Sequence, residues 1–142
     1  MPKFVMFVKG DPKPGFVPSQ EDIEPMVRYN EDLQKAGVLL DLNGLHPSAN
    51  GARVNFASGQ PTVIDGPFTE SKELVAGYWV IQTKSMEEAI EWAKRAPMAP
   101  DDRFEGDPVI EIRQIFELDE FGEGPGTDRA RELEKELSNS KE

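Results

Sequence analysis

GYWVIQTKSMEEAIEWAKRAP, residues 77–97, contains two kinds of secondary structure in succession. Its first seven residues are rich in aromatic and β-branched side chains, which predicts a β-strand over residues 77–83. Ser85 and Glu88 then have the spacing of a capping box, which marks the start of a helix. Apolar side chains at helical spacing continue to Ala96, and the final proline ends the pattern. This stretch therefore predicts a strand followed directly by an amphipathic helix.

A second strand and helix are predicted near the start of the chain. Phe4–Val8 is short and continuously apolar, which predicts a central strand that is buried on both faces. The helix that follows has two alternative starts. Ser19 with Asp22 resembles a capping box, but a proline beyond the first turn removes a backbone hydrogen bond, so the regular helix could begin at Glu24-Pro25 instead. Gly37 is expected to end this helix.

The middle of the chain predicts a hairpin, and residues 109–116 predict the last strand. Val38–Leu40 is a short strand candidate, and residues 53–56 and 62–64 are separated by turn-forming residues. Residues 109–116 alternate between apolar and polar side chains. This alternation places three apolar residues on one side of the strand: Ile110, Ile112 and Phe116.

The predicted order of elements is that of an α+β, ferredoxin-like βαββαβ domain over residues 1–116, with an extended middle hairpin. In this arrangement the helices cover one face of the sheet. The other face is still partly apolar, and in a chain of this size a second copy is the simplest cover. We therefore expect a homodimer of the dimeric α+β barrel type.

Residues 117–142 are predicted to be an acidic linker followed by a C-terminal helix. Residues 121–126 have the glycine-rich composition of a linker, and Thr127 is a candidate N-cap. Ala130, Leu133 and Leu137 follow at helical spacing. Because isolated helices of this length are marginal in water, the segment either packs on the domain or a partner subunit, or it frays.

Composition excludes several classes of function. The formal net charge of −11 and the lack of a basic cluster argue against nucleic acid as a partner. No apolar stretch approaches the roughly 20 residues that cross a bilayer, and no signal peptide is apparent. The absence of cysteine excludes disulfides and thiolate chemistry and fits a cytoplasmic location. No phosphate-binding glycine loop or dinucleotide fingerprint occurs, so no cofactor is expected.

A family resemblance lies in one long segment of the chain. The matching residues are TVIDGPFTESKE, residues 62–73, and residues 77–80, which resemble the signature of DGPF-domain proteins of the YCII-related superfamily. The similarity begins in the opening strand with Lys9-Gly10-Asp11 and includes the turn Gly44-Leu45-His46-Pro47. It extends to the last strand, covers about residues 1–116 and leaves the acidic tail outside.

This resemblance implies a dimeric ferredoxin-like fold with a pocket between sheet and helices. It also implies a histidine and an aspartate acting as an acid–base pair, as suggested for the YCII branch. Members of the DGPF branch are associated with sigma factors of the extracytoplasmic-function type. The resemblance therefore also implies a bacterial regulatory context.

Asp65 has two interpretations. Asp65-Gly66 is a turn dipeptide, and Pro67 stiffens it, so the carboxylate could accept hydrogen bonds from backbone N–H groups ahead of it. Alternatively, Asp65 orients or deprotonates a partner within hydrogen-bond reach. His46, the only histidine, is the one imidazole available for that role near neutral pH. A metal site is not predicted, because no spacing of ligands in the sequence indicates one.

Four other residues are candidates for binding a substrate: Arg28, Glu70, Lys72 and Tyr78. Lys72 lies between two acids in sequence, so it either binds an ionic substrate or forms a surface ion pair of little energetic value. Tyr78 and Trp79 point to opposite faces of their strand, and the sequence does not indicate which of them faces the pocket.

Two functions from different classes are compatible with these observations. The first is a small acid–base enzyme acting on an organic acid or carbonyl compound, with His46 and Asp65 as the catalytic pair and Arg28 or Lys72 binding the anionic group. The second is a dimer without catalytic activity. Such a dimer would bind a small ligand, or bind a sigma factor through its acidic tail.

Overall fold

A computed structural model describes residues 1–140 and contains six β-strands and three α-helices. The strands are β1 (Lys3–Pro12), β2 (Leu39–Gly44), β3 (Ala52–Asn55), β4 (Thr62–Asp65), β5 (Val75–Gln82) and β6 (Phe104–Gln114). The helices are α1 (Gln20–Lys35), α2 (Met86–Lys94) and α3 (Pro125–Ser140). Short 3-10 helices occupy Ser48–Asn50, Ser71–Glu73 and Leu118–Phe121.

Four strands form an antiparallel sheet in the order β2-β5-β1-β6. The central strand β1 pairs with a neighbour on each side, so that Met6 lies opposite Trp79 on β5 and Ile112 on β6. β3 and β4 form a separate two-stranded sheet, inserted between β2 and β5. This topology confirms the predicted ferredoxin-like α+β fold with an extended middle hairpin.

The core lies between the sheet and the first two helices. Alternate residues of β1 and β5 face the helices, because side chains along a strand point to opposite faces in turn. The buried apolar core consists of Phe4, Met6, Tyr29, Leu33, Val38, Trp79, Ile81, Ala89 and Trp92. Within it, the Tyr29 hydroxyl donates to the backbone carbonyl of Trp92 at 2.7 Å, and the Tyr29 ring packs edge-on against Trp79. Burial raises the pKa of Tyr29 to about 12.

Helix α1 uses the earlier of its two predicted starts. The Ser19 hydroxyl accepts from the Asp22 N–H at 3.2 Å, and the Asp22 carboxylate accepts from the Ser19 N–H at 2.8 Å. This reciprocal capping box satisfies two N–H groups of the first turn. Pro25 lies inside the helix, where its missing N–H leaves one backbone carbonyl of the first turn without its usual partner. At the other end, Gly37 adopts a φ of +75° immediately after the helix, as predicted.

The last strand begins earlier than the sequence pattern indicates. β6 pairs with β1 from Phe104 onward, across an irregularity between Lys9 and Asp11. Ile110 and Ile112 pack against the core as expected. Phe116 does not pack against the core, because β6 ends at Gln114. Its side chain is 70% exposed, and its ring lies 5.2 Å from that of Phe121.

The C-terminal segment forms a regular helix that begins at Pro125, two residues before the predicted N-cap. Proline suits the first helical position because its fixed φ is already helical. Arg131 of α3 binds Asp119 at 2.8 Å, which raises the pKa of Arg131. Leu133 and Leu137 remain 58% and 55% exposed. Within residues 1–140, no helix has both the length and the apolar character required to cross a membrane.

Candidate functional site

The hairpin formed by β3, β4 and their connecting loop, residues 52–65, is called the hairpin arm below. All residues of its two strands are exposed. The base of the arm is held by Asp11, whose side chain is buried at the end of β1. The Asp11 carboxylate accepts from the Ser48 N–H at 2.7 Å and from the Ser48 hydroxyl at 2.5 Å. The buried contacts of this region therefore lie at its base.

The Asp-Gly-Pro-Phe segment is organised by its second and fourth residues. The Gly66 N–H donates to the Gly51 carbonyl at 2.9 Å, and a Cβ atom at Gly66 would lie 1.8 Å from the Ser48 carbonyl oxygen. The Phe68 N–H donates to the Ser48 hydroxyl at 3.1 Å. Within residues 1–140, the Asp65 carboxylate accepts no hydrogen bond, so the expected backbone contacts of Asp65 are not formed. Gly66 and Phe68 supply the organising contacts instead.

His46 and Asp65 are both exposed near the base of the arm. The His46 Nδ1 lies 3.3 Å from the side-chain amide nitrogen of Asn50. In the described part of the chain, His46 forms neither a hydrogen bond nor an ion pair with Asp65. Asp65 lies instead opposite Ala52 in the hairpin register. A catalytic pair of His46 and Asp65 therefore stays a hypothesis.

The four predicted substrate-binding residues do not converge on one point. Arg28 is exposed on α1, Glu70 is exposed at the N-cap of the 3-10 helix Ser71–Glu73, and Lys72 is exposed within that helix. None of these three forms an ion pair within residues 1–140. The Tyr78 hydroxyl accepts from the Asn43 amide at 2.9 Å and donates to the Asp41 carboxylate at 3.3 Å. By strand alternation these groups lie on the face of the sheet opposite the helices, called the outer face below.

A cavity of about 800 Å³ lies between α1, the sheet and residues 97–108. Its wall is mainly apolar and includes Val8, Phe16, Ile23, Met26, Val27, Leu42, Trp79, Met98 and Phe104. The Trp79 indole N–H donates to the Asn30 side-chain oxygen at 2.8 Å, which places an amide beside the apolar wall. Both Tyr78 and Trp79 contribute atoms to the wall, but Trp79 is the one that packs toward the helices. Neither His46 nor Asp65 lines this cavity.

The wall also contains a cluster of three charged residues, Asp22, Asp101 and Arg103, called the Arg103 cluster below. The Arg103 Nη1 and Nη2 atoms donate to the two Asp22 carboxylate oxygens, each at 2.9 Å. Asp101 accepts from Nε at 3.0 Å and from Nη2 at 2.7 Å. Hydrogen bonding to Arg103 lowers the pKa of both carboxyl groups, and these bonds raise the pKa of Arg103. The cluster ties the start of α1 to the loop before β6.

Comparison with known proteins places the sequence in a family. Residues 3–113 match the family model of the YCII-related domain, which is more than half of the chain. The chain belongs to the YCII-related family. It is also 32% identical over 80 residues to a protein of Rhizobium meliloti (strain 1021) that is described only as uncharacterized. That match covers 54% of this chain and 64% of the relative, so the chain spans less than two thirds of the relative's length.

The YCII-related domain contains all of the residues that form the cavity and the hairpin arm, whereas α3 lies outside it. Arg103 and Asp101 were not identified from the sequence, although Asp22 was identified as a helix-capping residue. Asp22 and Arg103 are separated by 81 positions along the chain. No local pattern predicts a contact at that separation. The sequence signal that could have indicated the loop is the run of alanine and proline residues before Asp101.

Several histidine, cysteine or carboxylate side chains must converge to hold a metal ion. Within residues 1–140, no group of three or more histidine, cysteine, aspartate or glutamate side chains is placed to do so. The two carboxylates of the Arg103 cluster share the guanidinium instead of leaving a cation site between them. The chemistry open to the cavity is therefore that of its apolar wall, the Asn30 amide and the charged groups at its edge.

Proposed function

We propose that this YCII-related protein binds a small, predominantly apolar molecule in the cavity beneath α1. The cavity itself carries this proposal. Its volume of about 800 Å³ falls in the range of roughly 300–1,000 Å³ that is common for small-molecule sites. An apolar wall with a few convergent polar groups is the usual character of such sites.

The residues of the wall explain how a ligand would be bound. Trp79, Phe16 and Phe104 present aromatic surface, and burial of a ligand's apolar surface against them is favourable by about 25 cal/mol per Å². Asn30 uses its oxygen to accept from Trp79, so its amide N–H groups are available to a ligand oxygen. This pairing favours an apolar body with one polar group.

The two tryptophans allow a direct test. Trp79 lines the cavity, whereas Trp92 is a core residue outside its wall. In NMR titrations with a library of small aromatic compounds, ligand binding should shift the indole N–H signal of Trp79 and leave that of Trp92 unchanged. The variant W92F assigns the two signals.

A blocking variant sharpens this test. Val27 lies in the cavity wall and is partly exposed, so V27W should fill the cavity without disturbing the core. Q34W places the same side chain at an exposed position of α1 outside the wall and serves as the control. Ligand binding should be lost in V27W and retained in Q34W. Equal binding to the two variants would contradict the proposal.

Ligand binding is favoured over the acid–base enzyme because the two candidate catalytic residues do not line the cavity. Catalysis by His46 and Asp65 would require a substrate bound outside this cavity, near the base of the hairpin arm. The prediction of an acid–base enzyme is tested by the variants H46A and D65A. If the wild-type protein turned over an organic acid or carbonyl compound and either variant abolished that turnover, the enzyme hypothesis would replace ligand binding alone.

We also propose that two copies of the chain associate through the outer face of the sheet. Val5, Phe7 and Val80 are only partly covered there, and Leu40 and Val109 are about half exposed. A second copy would remove this apolar surface from water. F7K should convert a dimer to a monomer in analytical ultracentrifugation, and K84E, at an exposed position beyond β5, is the control. A wild-type monomer would contradict this proposal.

A regulatory role has one supporting observation, which is the exposed apolar stripe of α3. Leu133 and Leu137 remain uncovered on α3, within a C-terminal segment, residues 117–142, that has nine acidic and four basic residues. Such a helix could bind a basic region of a sigma factor of the extracytoplasmic-function type. In this case removal of residues 122–142 should abolish binding to a purified sigma factor while the thermal stability of the domain is retained. Binding that survives the removal would count against this role.

A further inference from the structure

We propose that the cavity selects amphiphilic amines, which combine an apolar body with a protonated amino group, over carboxylic acids of the same shape. This inference rests on the proposed ligand-binding function and names the chemical class of the ligand. It follows from the charges in the cavity wall and from which of them already have partners.

The charged residues of the cavity wall are mainly acidic. Glu21, Asp22, Asp101 and Asp107 provide four carboxylates, and Lys9 and Arg103 provide two cationic groups. The excess is two negative charges, in a chain whose formal net charge is −11. Charged walls raise the local concentration of ligands of opposite sign and oppose ligands of the same sign. A carboxylate ligand would enter against this potential.

Arg103 is not free to bind a ligand carboxylate. Its three guanidinium nitrogens already donate to Asp22 and Asp101 at distances between 2.7 and 3.2 Å. A ligand carboxylate could take their place only by leaving one of these aspartates without its cation. Two carboxylates around one guanidinium also leave the cluster itself with a net negative charge.

The other positive groups near the cavity are also accounted for. The N-terminus of α1 already has the Asp22 carboxylate beside it, in the capping box in which Ser19 and Asp22 accept from each other's N–H groups. Lys9 contributes to the wall. Side chains along β1 alternate between the two faces of the sheet, so Lys9 lies on the same face as Phe7, which is the outer face, and Val8 on the opposite one. Neither group offers a free cation to the helix side of the cavity.

Two carboxylates in the wall are available to an ammonium group. Glu21 and Asp107 form no ion pair in the described part of the chain, and both are exposed at the edge of the cavity. The aromatic wall supports the same ligand class, because the faces of Trp79 and Phe104 attract cations, whereas the Phe16 ring already has the Arg103 guanidinium 5.2 Å from its centre. A protonated amine would therefore find both a carboxylate and aromatic surface.

The test uses three compounds that share one apolar body: 3-phenylpropylamine, 3-phenylpropan-1-ol and 3-phenylpropionate. Titrations at neutral pH and low salt follow the Trp79 indole signal, with Trp92 as the internal reference. We expect the amine to bind roughly tenfold more tightly than the carboxylate, with the alcohol between them. Added salt should reduce this ratio, because it screens the charges at the cavity edge.

Paired variants identify the residues responsible. E21Q/D107N removes two negative charges from the wall and should bring the affinities of the amine and the carboxylate closer together. E24Q/D102N removes the same charge from exposed positions outside the wall, and it should keep the wild-type ratio. If both double variants changed the ratio equally, net charge and not the cavity wall would be responsible, which would overturn the inference.

The outcomes separate this inference from the function on which it rests. If 3-phenylpropionate shifts Trp79 and binds as tightly as the amine, ligand binding stands and the preference for amines is wrong. If none of the three compounds shifts Trp79, while the spectrum is that of a folded protein, both the preference and the proposed cavity function are contradicted.

Discussion

Ser48 donates to both carboxylate oxygens of Asp11, through its backbone N–H at 2.7 Å and its hydroxyl at 2.5 Å. Asp11 is only 8% exposed and lies near the end of the central strand. The same Ser48 hydroxyl accepts from the Phe68 N–H, so it connects β1 with both ends of the inserted hairpin. Removing the Ser48 side chain should therefore weaken two contacts at the base of the arm, one with Asp11 and one with the Phe68 N–H.

Replacement of Ser48 by alanine should destabilise the protein by about 1–3 kcal/mol, because it leaves polar partners unpaired in a partly buried site. Urea unfolding measures this change, and hydrogen exchange of the Phe68 N–H should become faster. S58A removes a hydroxyl near the exposed end of the arm and should have little effect. Equal stability of S48A and wild type would show that the Asp11 contact does not hold the arm.

Replacement of Gly66 by alanine should be among the most damaging single changes in the chain. The added Cβ would lie 1.8 Å from the Ser48 carbonyl oxygen, so one of the two backbone segments must move. We expect a loss of about 4 kcal/mol or more in the free energy of unfolding. G126A is the control, since no atom lies within 4 Å of a Cβ placed there. A stable, soluble G66A protein would contradict the observed packing of this loop.

Arg103 should make stability depend on pH in the acidic range. It lowers the pKa of Asp22 and Asp101 in the folded protein, so their contribution is present above the ordinary carboxyl pKa near 3.8 and is lost as the pH falls below it. The difference in urea midpoint between wild type and R103M should therefore be larger at pH 7 than at pH 3. R113M removes an arginine that is 72% exposed and should give a small difference at both pH values.

Tyr29 should produce the opposite dependence at alkaline pH. Its pKa is raised from 10.0 to about 12, so its contribution is complete below pH 10 and is lost as the pH rises through about 12. Y29F should also cost about 1–2 kcal/mol at neutral pH, because the Trp92 carbonyl loses a buried donor.

Unfolding measurements between neutral pH and pH 12 test both parts of the Tyr29 prediction, with Y78F as the control. Tyr78 has an exposed side-chain hydrogen bond, so Y78F should remain close to wild type at neutral pH. The expected result is a smaller loss of stability at high pH in Y29F than in wild type. A parallel decline of the two proteins would exclude Tyr29 as the cause.

Where secondary structure follows from neighbouring residues, the sequence predicted it well. Ser85 caps α2, and Gly37 follows α1 in the left-handed conformation that glycine favours. Ser19 and Asp22 cap α1 in spite of Pro25. Neighbouring residues did not predict the start of β6 or the exposed position of Phe116. Both depend on which residues of β1 pair with the last strand.

The candidate site was likewise predicted only in part from the sequence. The aspartate and glycine of the Asp-Gly-Pro-Phe segment predicted a stiff turn, but the contacts that hold it belong to Gly66, Phe68 and Ser48. His46 and Asp65 were grouped by chemistry, and the structure leaves each exposed without a mutual hydrogen bond. Sequence proximity to a turn therefore did not identify the residues that line the cavity.

By itself, the sequence determined the order of strands and helices, the end of α1 at Gly37, the start of α2 at Ser85 and the acidic character of the protein. These properties depend on hydrophobic periodicity, on capping residues and on composition, all of which act over a few positions or over the whole chain. Only the tertiary structure decided which residues form the cavity. Asp22 and Arg103 meet across 81 positions because α1 and the loop before β6 pack at the same end of one sheet face.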